Sequence, residues 1–261
     1  MGPRLSVKIN GFATPFPMYP DEVILMASDN QVLWTANSEV KMDVYEAIEK
    51  RRSVRVFERK VSDQQLKRIL VAGTKAPSGS NVQPWEFIII NDPGIIEQIA
   101  EHKYQQTLKM AIDEMILDDP RIVEQICQQT LSNPVSLKRA RIQKDAYQNC
   151  TVIAVCNKKG HGIGRKPWMN IENIASTWMC IENIALAATA DGLGVQISIL
   201  REEHKIAVGK LLSIPEDYEL ATMVLIGVKG EEPGERIGVI RPAFSWLHKN
   251  RFGNYATNQT G

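Results

Sequence analysis

The chain has 261 residues, of which 44% are apolar and 23% charged, the proportions of a globular protein able to bury a substantial core. Lys and Arg total 31 against 30 Asp and Glu, a formal net charge of +1. That balance excludes a protein built mainly to bind nucleic acid or acidic membranes, so any recognition of anions must be local.

Residues 1–40 read as an N-terminal extension. Their first twenty lack the apolar core of a signal peptide, and "EVILMASDNQVLWTA" (22–36) has two apolar runs around Ser28-Asp29-Asn30, the pattern of a hairpin. The main domain is expected over 41–261. Helical spacing predicts helices over 42–51 and 62–74, with Ser62 and Asp63 as caps and Gly73 as the stop. A breaker-rich loop, "KAPSGSNVQPW", then runs into "WEFIIIN" (85–91), which reads as a buried strand. Asp92-Pro93 opens the next helix.

Residues 101–149 are rich in Gln, Lys, Arg, Asp and Met and are broken at Asp119-Pro120 and Asn133-Pro134. They are expected to form two or three amphipathic helices that act as a mobile cover rather than core. "TVIAVC" (151–156) predicts a second buried strand. "NIASTWMCIENIALAATA" (173–190) is small or apolar on nearly every face, so it belongs at a protein centre or a subunit interface. "VQISI" (195–199) and "ATMVLIGV" (221–228) predict two more strands, with a helix over 201–212 between them. The tail, 229–261, has little periodicity. Four buried strands interleaved with helices define a mixed α/β or α+β domain.

Several chemistries find no support. The four cysteines include no CxxC pair and read as buried reduced thiols of an intracellular protein, with no metal site. The histidines (His102, His161, His204, His248) are scattered, and no Ser–His–Asp order or GxSxG occurs. "GHGIG" (160–164) lacks the dinucleotide-loop spacing and reads as a flexible loop. The most apolar long stretch, 171–191, is interrupted by Glu172, Glu182 and Asp191, which makes a poor membrane span.

Two segments remain. "RRSVRVF" (51–57) places three guanidinium groups within five residues. Arg51 and Arg52 are also what a helix C-terminus favours, and the residues alone leave both readings open. In the loop at 76–85, Pro77, Gly79 and Pro84 fix the backbone while Ser78, Ser80, Asn81 and Gln83 offer polar groups. Gly79 allows close approach of something flat or bulky. Together the segments suit an anionic tail joined to a planar polar ring. A further basic set, Lys138, Arg139, Arg141 and Lys144 with Tyr147, reads first as a solvated helix face and otherwise suits an anionic or aromatic substrate.

"RRSVRVF" followed by "APSGSNVQPWEFIII" resembles the FMN-dependent nitroreductase family, as do "IENIALAATADGLGVQI" (181–197) and "MVLIGV". The loop form "PSGSNVQPW" is also close to the branch that contains the iodotyrosine deiodinases. The resemblance covers 42–100 and 171–245. It implies an α+β fold with a mixed, mainly antiparallel sheet flanked by helices, in an intertwined homodimer with FMN at the interface. It further implies that Arg51, Arg52 and Ser53 meet the FMN phosphate and the polar edge of the ring. Arg55 would face the N1–O2 edge, where reduction leaves negative charge. Ser78, Gly79 and Asn81 match the loop along the flavin, whereas Trp85 reads as packing. Ile197 and Ser198 fall where relatives offer flavin N5 a donor, from backbone or hydroxyl, which makes Ser198 the candidate catalytic residue. Arg241 resembles the late basic residue of the phosphate site, with Arg236, Lys249 and Arg251 as competitors.

The activity so implied is cytoplasmic hydride transfer from NADH or NADPH, through FMN, to a nitroaromatic, quinone, activated alkene or flavin. The alternatives are reductive dehalogenation of halogenated phenols, flavin binding without turnover, and oxidative breakdown of FMN itself.

Overall fold

The computed structural model describes residues 42–113, 133–160, 167–231 and 246–252. The expected hairpin at 22–36, the GHGIG loop beyond Gly160, Cys127, Arg236 and Arg241 lie outside these residues. The chain divides into two units, Met1–Gly230 and Glu231–Gly261. In the second, the His248 and Phe252 rings lie 4.3 Å apart and Arg251 donates its backbone N–H to the carbonyl of Lys249.

In the first unit the order is α1 (Val44–Lys50), β1 (Phe57–Lys60), α2 (Asp63–Gly73), β2 (Trp85–Ile90), α3 (Pro93–Asp113), α4 (Pro134–Asp145), β3 (Thr151–Lys158), α5 (Pro167–Ala190), β4 (Gly194–Ser198), α6 (Glu202–Leu211) and β5 (Tyr218–Lys229). The helix starts follow the local chemistry. Ser62 and Gln65 form a reciprocal capping box on α2. The Asp92 carboxylate accepts from the N–H groups of Gly94 and Ile95 at the start of α3. Asn133 caps α4, with Pro134 at the first helical position.

The sheet is antiparallel throughout its named pairings. β5 is its spine, pairing with β3, β4 and β1, while β2 lies outside β3. Helices cover both faces. Ile153, Val155, Val224 and Ile226 join α2 and α5 in one core, around Leu66, Ile69, Ile181 and Ile184. The alternate residues Val152, Ala154, Met223 and Leu225 join Ile99, Tyr147 and Val208 in the other. This two-sided burial explains why β3 and β5 read as unbroken apolar runs. The fold is α+β, as the sequence led one to expect.

Two elements differ from expectation. "WEFIIIN" is not buried on both faces: β2 is an outer strand, with Glu86 exposed and Ile89 44% exposed. Residues 101–149 are not merely a cover either. Leu108, Ala140, Ala146 and Tyr147 are buried, and Ala146 and Tyr147, just after α4, join Ile99 and Ala100 of α3 in the second core.

Candidate functional site

The arginine segment is fixed to the sheet by its backbone. Ser53 and Val195 form a parallel bridge, and Val54 donates its N–H to the carbonyl of Val195 at 3.0 Å. Gly194 makes this approach possible, since a Cβ there would lie 2.7 Å from Val54 Cγ1. Arg51 sets its Nε 3.5 Å from Glu182 on α5, and Arg52 donates to the carbonyls of Glu49 and Arg51 at the end of α1. Arg55 donates to the Ser53 carbonyl at 3.0 Å and turns into a cleft.

That cleft, of about 210 Å³, is lined by Arg55, residues from α3 and α4, and the end of β4 with the turn after it. Its walls are positioned by two hydrogen bonds to β4. Gln143 lies in the last turn of α4, and Tyr147 in the turn just after it. Gln196 and Ser198 lie two apart on β4, about 6.6 Å along a strand. Each pair bonds across: Gln196 Nε2 donates to Gln143 Oε1 at 2.9 Å, and the Tyr147 hydroxyl donates to Ser198 Oγ at 2.9 Å. The turn after β4 is held by α3. Lys103 Nζ and Gln106 Nε2 both donate to the Ile199 carbonyl, at 2.9 and 3.1 Å, and Arg201 N donates to Gln106 Oε1 at 2.7 Å.

The cleft is strongly cationic. Arg55, Lys103, Arg139 and Arg201 all line it, and among the described residues no carboxylate does. Burial pushes the Lys103 ammonium down to about 8, with Arg201, Arg55 and Arg139 adding repulsion. Gln196, only 2% exposed, has an Oε1 with no hydrogen-bond partner. One buried acceptor among donors leaves a place for a ligand edge that offers a donor between two acceptors.

Of the residues picked out in the sequence, Ser53, Arg55 and Ile197 are brought together here. Ser198 is beside them but 1% exposed, with its hydroxyl turned under the strand to Tyr147. Burial raises the Tyr147 hydroxyl well above its usual range, so this pair stays neutral. The loop stands apart. Gly79 faces Glu172 at one end of α5, whereas Arg51 faces Glu182 ten residues on, about 15 Å along the helix axis. Ser80, Asn81 and Gln83 hold left-handed backbone angles (φ 50°, 55° and 48°), strain of the kind that collects at ligand clamps. Trp85 packs in the core at 6% exposure, as expected. Of the basic set on α4, only Arg139 reaches the cleft, because Lys144 is engaged with Glu97 and Glu101 and Tyr147 is buried.

Lys103, Gln106, Gln143 and Arg201 carried no motif in the sequence, and Gln196 lay in the 181–197 stretch without a role of its own. Two of the scattered histidines also meet: His102 and His204 place their Nδ1 atoms 3.2 Å apart across α3 and α6. The described cysteines, Cys150, Cys156 and Cys180, are free and buried, with burial pushing their thiols up to between about 11 and about 12. No helix among the described residues is long and apolar enough to cross a membrane.

Residues 48–228, well over half of the chain, match the nitroreductase family, and the protein belongs to that oxidoreductase family. Protein DrgA of Synechocystis is 29% identical over 201 residues, covering 75% of this chain and 89% of its own. A putative NADH dehydrogenase/NAD(P)H nitroreductase of Methanothermobacter thermautotrophicus is 28% identical over 200 residues, covering 75% and 82%. The fold is also similar to that of oxidised iodotyrosine deiodinase bound to FMN and 3-iodo-L-tyrosine, with a TM-score of 0.55, 23% identity, and coverage of 77% and 98%.

Proposed function

We propose that the protein is a flavin oxidoreductase that seats the pyrimidine edge of FMN in the Arg55 cleft. The carrying observation is the orphaned, buried Oε1 of Gln196 among cationic donors. A flavin edge presents acceptor, N–H donor and acceptor in a row, so Gln196 would accept from the N–H while Arg55 donates to an oxygen beside it. The cleft is smaller than the roughly 300 Å³ of drug-sized sites, which suits one edge of a ligand rather than a whole flavin.

The chemistry that bound FMN supplies is acceptance of hydride from NADH or NADPH and its delivery to an electron-poor acceptor. The protein's residues position and neutralise. Arg55 is held by the Ser53 carbonyl at the ring edge, where reduction places negative charge, and its fixed guanidinium favours that charge. Arg51, Arg52 and Ser53 would hold the phosphate. On β4, the Ser198 hydroxyl is occupied by Tyr147, so the backbone of Ile197 and Ser198 is the better source of a donor to the ring.

Two observations support a homodimer. Val44, Tyr45, Ile48, Trp168, Ile171 and Met179 leave apolar surface exposed on α1 and α5. Within one copy the strained loop lies about 15 Å along α5 from Arg51, so a second copy would bring Ser78, Gly79 and Asn81 to the flavin.

Anaerobic addition of NADH or NADPH to the FMN-loaded protein tests the reading. Bleaching of the yellow absorbance, restored by a nitroaromatic or quinone, is the expected result. A bound flavin that neither reductant bleaches would leave a binding protein without turnover. Halide release from 3-iodotyrosine without nitro reduction would assign it to dehalogenation instead.

A further inference from the structure

We propose that Lys103, Arg139 and Arg201 form a carboxylate subsite, so that the preferred electron acceptor is a small organic anion. The proposal rests on the FMN reading and names the substrate class of the same site.

Charge counting carries it. Arg55 alone can answer the single negative charge that a reduced ring edge develops. Three further cations line the same small cleft, from three different elements: Lys103 on α3, Arg139 on α4 and Arg201 at the start of α6. None of the three has a carboxylate partner among the described residues, although carboxylates are close by. Glu97 and Glu101 are engaged with Lys144, and Glu203 with Lys109. The cations are thus left facing one another. Folding that assembles like charges around a cavity and diverts the available acids elsewhere leaves an anion-shaped deficit.

The position fits an acceptor rather than a part of the cofactor. Arg139 and Arg201 are exposed, at the mouth, whereas Gln196 is at the buried end. The ammonium of Lys103, depressed to about 8 by burial and by its arginine neighbours, would regain its ordinary proton affinity once an anion sat beside it. Binding should therefore take up protons near pH 8 and weaken as the pH rises from there.

The probes are 4-nitrobenzoate and its uncharged methyl ester, used on the FMN-loaded enzyme. The acid should show a KM about tenfold below that of the ester, the preference of one well-placed ion pair. Arg139→Ala and Arg201→Ala should each raise KM for the acid about three- to tenfold and leave KM for the ester and the flavin absorbance where they were. Calorimetry of benzoate binding to the oxidised holoenzyme, in buffers of different ionisation enthalpy, should register proton uptake at pH 8 that Lys103→Met abolishes. Equal KM for acid and ester, or variants that affect both alike, would overturn the proposal. So would variants that release the flavin, since the cations would then belong to the cofactor's seat. If the protein held no flavin, the functional reading would fail first, and benzoate calorimetry on the same protein would still decide for or against the anion site.

Discussion

Val54 and Val195 are joined by a 3.0 Å backbone hydrogen bond that fastens the arginine segment to the end of the sheet. Everything placed in the cleft depends on this join, because it sets Arg55 opposite the residues that follow Val195. Gly194→Val puts a Cβ within 2.7 Å of Val54 Cγ1 and should push the segment away. Overpacking of this kind costs about 1–3 kcal/mol. Thermal unfolding should report that loss, and FMN titration should report a further drop in affinity. A variant destabilised but binding FMN normally would show that the join does not position the site.

Ser198 and Tyr147 supply a second test. Removing the buried acceptor with Ser198→Ala strands the Tyr147 hydroxyl and should cost about 1–3 kcal/mol, whereas Tyr147→Phe should cost about 1. Denaturant unfolding of both single variants and the double variant measures the coupling. If Ser198→Ala left stability unmoved and slowed flavin turnover instead, its hydroxyl would have to point at the cofactor.

The apolar face of α1 makes assembly testable. Ile48 is 54% exposed and Tyr45 82% exposed. Ile48→Glu should yield a monomer that binds FMN at least about tenfold more weakly, because a buried charge at an interface is strongly unfavourable. Light scattering of the eluting protein, with its absorbance, reads both. A wild-type monomer would contradict the paired arrangement.

The His102–His204 pair gives a pH dependence with a defined sign. Burial foremost, then His102 and Lys109, lower the affinity of His204 for a proton, against the opposing pull of Glu203. The unfolded chain therefore takes up a proton near pH 6.5 that the folded protein resists. The stability contribution of His204 is complete above that pH and is lost as the pH falls through the lower, folded value. His204→Gln should flatten this acid limb of the melting temperature; an unchanged limb would place the titration elsewhere.

The helices and central strands were legible because their signals are local. The Ser62 capping box, the Asn133-Pro134 start and the apolar runs of β3 and β5 act within a few residues. Strand β1 was not foreseen: in "FERK" only Phe57 is buried, so neither alternation nor a run marks it. The site divides in the same way. Arg55 was readable from a dense motif, but Lys103 and Gln196 become neighbours only through the bonds that join the end of α4 to β4 and the clasp of α3 on Ile199. Each is an unremarkable polar residue in its own segment. The cover was read as separate from the core for a related reason: its buried apolar residues, such as Leu108 and Tyr147, are sparse in the sequence.

The most direct test is FMN titration of the wild type and Gln196→Leu, followed by flavin fluorescence. Gln196→Leu removes the partnerless acceptor and also the Nε2 donor to Gln143, a loss of about 1–3 kcal/mol that thermal unfolding should register while the variant stays folded. The expected result is saturable binding by the wild type and an affinity at least about tenfold lower in the variant. Wild-type protein that ignores FMN, or a variant that binds it equally well, would contradict the seating of the flavin edge against Gln196 and Arg55.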